Sequence, residues 1–139
     1  MYQTILVTLD TTDADRTILE HVRPLAKSFR SKITLLHVAD GWTARTYGDN
    51  AISKEVDEDR AYLAKVQADL QADGIECDSE LAYGTPADEI VRWTKEKHCD
   101  LIAMSTHGHR FLGDLIHGAT AHKVQHQVFV PVLLLRVKN

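Results

Sequence analysis

Two groups of small residues and one acid define the chemistry open to this chain. Ser105, Thr106, His107 and Gly108 follow a short apolar run at residues 101–104, and nine residues separate Gly108 from Gly118, Ala119 and Thr120. An apolar run that stops at small residues, followed by a segment with helical spacing, reads as a strand feeding a loop and then a helix start near Gly118. Unpaired backbone N–H groups in such loops and at helix N-termini attract anions. Asp10 closes the first apolar run, residues 5–9. Parallel pairing of the two runs would set Asp10 opposite Ser105 and Gly108. The pattern therefore points to an anionic ligand held between two strand ends, largely by backbone dipoles.

Other chemistries lack their parts. There is no Gly-x-x-x-x-Gly-Lys-Ser/Thr loop and no Gly-x-Gly-x-x-Gly after the first run. A phosphate-binding lysine and a base for water, which efficient phosphoryl transfer requires, are not visible. Arg110 and Lys123 fit phosphate contact and plain surface positions equally well. Five of the eight histidines (His107, His109, His117, His122 and His126) fall in one stretch. His122 and His126 have the four-residue spacing that sets two ligands on one helix face. No cysteine or glutamate completes a His-Glu-x-x-His type motif, so solvated histidines are the preferred reading over a metal site.

The elements that must position these residues alternate along the chain. Residues 5–9 and 33–38 are nearly continuous apolar runs, the mark of strands buried on both faces. Between them Ile18, Leu19, Val22, Leu25, Ala26 and Phe29 keep the helical period, with Thr11, Thr12 or Asp13 as caps. Pro24 inside that helix predicts a kink or break near residues 20–24. Residues 40–50, with Trp42 and Tyr47, have no period and read as the longest loop. A helix over 51–73 follows, its charge run at residues 54–60 read as a solvated face and Gly74 as its stop. Residues 75–83 alternate apolar and polar, which predicts a half-exposed strand at a sheet edge. Thr85, Pro86 and Asp88 suit the N-cap, first helical and capping-box positions of the next helix. A fourth strand at 100–105, a helix from about 118 to 127 and an apolar fifth strand, residues 130–137 from Val130 to Val137, complete the chain.

This alternation predicts an α/β fold: a doubly wound, Rossmann-like, five-stranded parallel sheet of order 3-2-1-4-5 with helices on both faces. A ligand belongs at the carboxyl ends of strands 1 and 4, where the strand order reverses. The fifth strand is a strongly apolar edge with little charge, which invites pairing with a second copy.

The bulk numbers agree with one packed domain spanning residues 1–139. Hydrophobic residues make up 44% and charged residues 26%, and the net charge of −4 argues against a general nucleic-acid surface. Cys77 and Cys99 lack metal or redox spacing and read as buried thiols. The chain starts without a signal-peptide pattern and has no run long enough to span a bilayer, so a cytoplasmic location is expected.

With these residues in view, the chain resembles the universal stress proteins over nearly its whole length. Residues 4–13, the end of the second strand, Gly84 to Pro86, residues 100–108 and residues 118–135 fall in the family's order. The resemblance implies the fold argued above, a homodimer through the last strand, and a division between members that bind ATP and members that do not. ATP-binding members carry Gly, two residues, Gly, nine residues, then Gly followed by Ser or Thr. Here Gly108 and Gly118 keep the spacing, while Ser105 stands for the first glycine and Ala119 for the hydroxyl residue. A hydrogen bond to a charged group is worth roughly 1.5–3 kcal/mol, so Ala119 would weaken such binding without abolishing it. By resemblance, Asp10 faces the nucleotide and Val38 offers backbone groups to adenine. Met104, Ser105, Gly108, Gly118, Ala119 and Thr120 border ribose and phosphates. The implied ligand is ATP, with AMP or ADP as other candidates and magnesium as an optional companion. The implied role is a stress-response regulatory or signalling module working with an unidentified protein partner. The alternatives are a member that has lost nucleotide binding and acts through protein contacts, or a weak ATPase.

Overall fold

The computed structural model describes residues 1–39, 49–105 and 114–137. Strand and helix alternate as β1 (Thr4–Leu9), α1 (Ala14–Phe29), β2 (Lys32–Ala39), α2 (Asp49–Ala72), β3 (Cys77–Tyr83), α3 (Pro86–Glu96), β4 (Leu101–Ser105), α4 (Asp114–Gln127) and β5 (Val132–Leu135). Every strand pair is parallel and the order is β3-β2-β1-β4-β5, as the pattern predicts. Loop residues Trp42 and Tyr47 lie outside the described residues.

The apolar runs explain the centre of the sheet. β1 sends Ile5, Val7 and Leu9 to one face, where Ile18 and Val22 of α1 and Leu63, Val66 and Leu70 of α2 cover them. Leu6 faces the other way, with Ile102 and Met104 of β4, and packs under Ile90 of α3 and Ala121 and Val124 of α4. Each such side chain taken fully out of water contributes about 1.5–3 kcal/mol. The start of β4 is tied to the start of β1 by Asp100, whose carboxylate accepts the Gln3 and Thr4 N–H groups at 2.9 and 3.0 Å. That clamp sets the register that brings the far ends of the two strands level.

Four expectations change in detail. α1 runs unbroken through Pro24. Pro24 and Glu20 are both exposed, so the carbonyl freed by the missing N–H faces water, while Ile18, Val22 and Ala26 hold the buried side. Asp59 leaves the supposedly solvated charge run and is only 8% exposed. Thr85 sits at the N-cap of α3 with Pro86 behind it, but without a side-chain cap bond. The negative charges of Asp88 and Glu89 in the first turn favour the helix start instead. β5 is shorter than the apolar run that contains it.

β3 forms one edge, and its polar residues are paired. Lys97 bridges Asp78 at 3.1 Å and Glu80 at 3.0 Å, and Lys32 reaches Asp78 at 3.2 Å. Gly74 and Gly84, with φ of 82° and 136°, make the turns into and out of this strand. A side chain there would be strained. Cys77 and Cys99 are free and buried, and burial pushes both thiols up to about 12. Among the described residues, no helix is long and apolar enough to cross a membrane.

Candidate functional site

β1 lies between β2 and β4, so its carboxyl end is where the chain's crossovers diverge to opposite faces. β1 and β4 run in register from Ile5 opposite Leu101 to Val7 opposite Ala103. Beyond these pairs, Leu9 and Asp10 come to the same rim as Met104 and Ser105. Thr8 Oγ1 donates to the Ala103 carbonyl at 3.4 Å across this gap. Val38, half-buried on β2, is one residue past His37, the partner of Leu9. Asp10, Val38, Met104 and Ser105 thus lie at the ends of three adjacent strands.

Their side chains are not equivalent. Met104 is 4% exposed and packs into the core beneath α3 and α4, so it can present only backbone to the rim. Ser105 is half-buried. Gly108 lies outside the described residues. α4 starts at Asp114, four residues before the expected start, and Gly118 is therefore inside the helix. The N–H of a residue that far in is committed to the helix ladder. What glycine provides there is an absent Cβ rather than a free donor. Ala119 is exposed and Thr120 half-buried on the following turn.

The turn after β1 is built around an acid that the sequence reading passed over. Asp15, in the first turn of α1, is 2% exposed. Its Oδ1 accepts the Asp10 N–H at 2.9 Å and its Oδ2 accepts the Thr11 N–H at 2.9 Å. Oδ2 also accepts the hydroxyl of Tyr62, 2.7 Å away on α2. Burial pushes the Asp15 carboxyl up to about 7, against the pull of these donors. Burial, with Asp15 as a neighbour, also raises the Tyr62 phenol far above its ordinary value, so it remains a donor.

Within the turn, Asp10 Oδ1 accepts the Thr12 N–H at 3.0 Å and the Thr12 hydroxyl. Thr11 has φ of 64°. A β-branched residue there is a genuine outlier, and left-handed backbone of this kind costs of order 1–3 kcal/mol. The flanking bonds to Asp15 and Asp10 hold it in place. A second brace reaches the same strand end: His37 Nδ1 is 2.9 Å from the Leu9 carbonyl, and its Nε2 is 3.4 Å from Asp59 of α2. His37 is thus a strand residue with both ring nitrogens facing partners inside the fold.

The signal for Asp15 in the sequence is slight. Asp10, Asp13 and Asp15 all precede or open the helix, and Asp13 stands best for the cap. Asp13 takes the N-cap position without a side-chain bond, and only burial distinguishes Asp15. His122 and His126 do meet, with Nε2 atoms 3.1 Å apart on an exposed face of α4. No cluster of three or more metal-ligating side chains occurs among the described residues.

Comparison with known proteins adds to this geometry. The universal stress protein family model matches residues 1–136. Universal stress protein MJ0531 of Methanocaldococcus jannaschii is 27% identical, the alignment covering 98% of this chain and 83% of that one. The structure of hypothetical protein MJ0577 of the same organism superposes with a TM-score of 0.85 at 25% identity, covering 100% of this chain and 99% of the other. Universal stress protein UspA of Lactobacillus plantarum has the same fold, with a TM-score of 0.83 at 20% identity over 97% of this chain and 98% of that one. Two further structures of that fold are a universal stress protein in complex with cAMP and one from Archaeoglobus fulgidus in complex with dAMP. Both have TM-scores of 0.69 at 20% identity, and they cover 97% and 96% of this chain and 97% and 98% of their own. The sheet order and a family match over nearly the whole length agree: this chain belongs to the universal stress protein family.

Proposed function

We propose that this protein binds an adenine nucleotide, ATP in the first instance, at the carboxyl ends of β1 and β4, and acts as a regulatory or signalling module in the stress response. The observation that carries the reading is the meeting of Asp10 with the β4 end at the topological switch point, where open parallel sheets take their ligands. The retained spacing of Gly108 and Gly118 supports it, as do the relatives solved with cAMP and dAMP. The residues present fit the ligand: the Asp10 carboxylate suits a ribose hydroxyl, and half-buried Val38 suits contact with a base edge. Ser105, Ala119 and Thr120, all small, suit close approach of phosphate. A base for water has not been identified, so binding is favoured over turnover, and hydrolysis at most slow is expected.

Purified protein is heat-denatured and the released small molecules are identified by chromatography and mass. Stripped protein is then titrated with ATP and magnesium, and with ADP and AMP. Near-stoichiometric adenine nucleotide, or micromolar binding lost in Gly118→Val, is the expected result. No released nucleotide and no heat of binding would favour the other family type, with Ser105 and Ala119 marking a lost site and protein contacts carrying the function. The same reading includes a homodimer through β5.

A further inference from the structure

We infer that Asp15 is the positioning residue of this site: its carboxylate locks the Asp10–Thr12 turn onto α2 through Tyr62, and protonation of that carboxylate releases the turn and weakens nucleotide binding. The inference rests on the nucleotide reading for its second half only; the lock itself is independent of any ligand.

The chemistry follows from the donors. Three hydrogens point at the Asp15 oxygens: the Asp10 N–H on Oδ1, and the Thr11 N–H and Tyr62 hydroxyl on Oδ2. An ionised carboxylate is acceptor-only and receives all three. A proton added to Oδ1 would meet the Asp10 N–H. A proton added to Oδ2 would meet the Thr11 N–H or force the phenol to turn round. In the first two cases a bond to the turn is given up; in the third the Tyr62 bond reverses, and the N–H groups of the turn are left on a neutral acceptor, which holds them more weakly than a carboxylate does. The turn depends on those bonds because Thr11 holds a left-handed φ that threonine disfavours. Asp10, the residue offered to the ligand, hangs between the bond to its own N–H and the bonds of its carboxylate to Thr12.

Tyr62 makes the lock tertiary, since it comes from α2, 47 residues along the chain. The charged and titratable groups around Asp15 are few. Asp10 faces it from the turn and opposes its ionisation, and Tyr62 faces it from α2. Asp13 acts on the Tyr62 ring, and Arg16, Glu20 and Arg23 of α1 line the groove beside that ring. β4, packed against α1, carries no charged residue between Leu101 and Ser105. His37 and Asp59 brace the Leu9 carbonyl separately.

Amide 15N and 1H shifts of Asp10 and Thr11 are followed in the unliganded protein from about pH 5 to about pH 9, a range that brackets ordinary histidine titration and the Asp15 carboxyl. ATP affinity is measured by calorimetry over the same range, for wild type, Asp15→Asn and Tyr62→Phe. In wild type both amides shift with a midpoint near 7, the value to which burial pushes Asp15, and ATP binds roughly tenfold or more tightly above the midpoint than below it. Asp15→Asn removes the titration of the two amides and binds weakly at every pH. Tyr62→Phe keeps the titration and moves its midpoint upward, because a donor to the ionised form is gone. Protonation of the ATP phosphates is common to all three proteins and cancels in their ratio. Flat amide shifts in wild type, or an Asp15→Asn protein with wild-type affinity and pH profile, would overturn the inference. Titrating amides with no ATP binding at any pH would instead remove the nucleotide reading and the gating with it, leaving only the lock.

Discussion

Asp15 in the first turn of α1 has a consequence for stability that can be measured. Its carboxyl is held near 7 in the folded protein, against an ordinary value of 3.8. The folded state therefore keeps a proton that the unfolded chain has already lost between those two values. Stability from this group is complete below about pH 4, declines as pH rises and is gone above about pH 7. The shift corresponds to about 4 kcal/mol as an upper bound. Urea unfolding at stepped pH checks this: wild type should lose stability relative to Asp15→Asn across that window and run parallel to it above. A difference independent of pH would mean that Asp15 does not titrate there. The ionised form that holds the turn is thus also the form in which the fold is less stable. Strain at Thr11 and a buried charge sit together beside the site proposed for the ligand, as strain at functional positions commonly does.

At the scale of elements, α2 acts as a strut. Asp59 and Tyr62, about one helical turn apart, reach two different braces on the end of β1. β3 shows how an edge strand is kept from pairing. Its outward polar residues are tied to Lys97 just past α3 and to Lys32 on β2, and charged side chains on an edge disfavour addition of another strand. Lys97→Met should lower stability by about 1 kcal/mol, because the pairs are only partly buried. The loss should shrink at high salt, where screening weakens the wild-type pairs. Denaturant unfolding at low and high sodium chloride tests both points. A loss unchanged by salt would assign Lys97 a packing role, through its contact with the Trp93 ring.

For the whole molecule, the two sheet edges contrast. β3 is charged. β5 is not, and it presents Leu134 at 37% exposure, with Phe129 fully exposed just before it. Two copies paired edge to edge about a two-fold axis would run antiparallel and double the sheet. They would also place both proposed nucleotide crevices on one assembly, since β5 adjoins β4. Sedimentation at micromolar concentration should give a dimer for wild type and a monomer for Leu134→Lys, because a lysine on the edge blocks pairing. A monomeric wild type would leave β5 as a bare apolar edge and would remove the homodimer from the proposed function.

The sequence alone determined the architecture. Continuous apolar runs in β1, β2 and β4 and alternation in β3 distinguish strands buried on two faces from one at an edge, and that contrast is enough to order the sheet. It also placed Asp10 and Ser105 at one rim, because strand ends follow from where apolar runs stop, while Val38 followed only from the family resemblance. Periodicity is a short-range signal, and it failed where the outcome depended on distant partners or on which face meets water. Pro24 is tolerated because its side of α1 is exposed. Asp59 is buried because His37 lies opposite it. α4 begins ahead of Gly118, which ties an expected donor into the helix ladder. The Asp15 lock was decided by tertiary structure alone. An aspartate at the start of a helix reads as a cap until a tyrosine from another helix, and the folding of a strained turn beneath it, close water out.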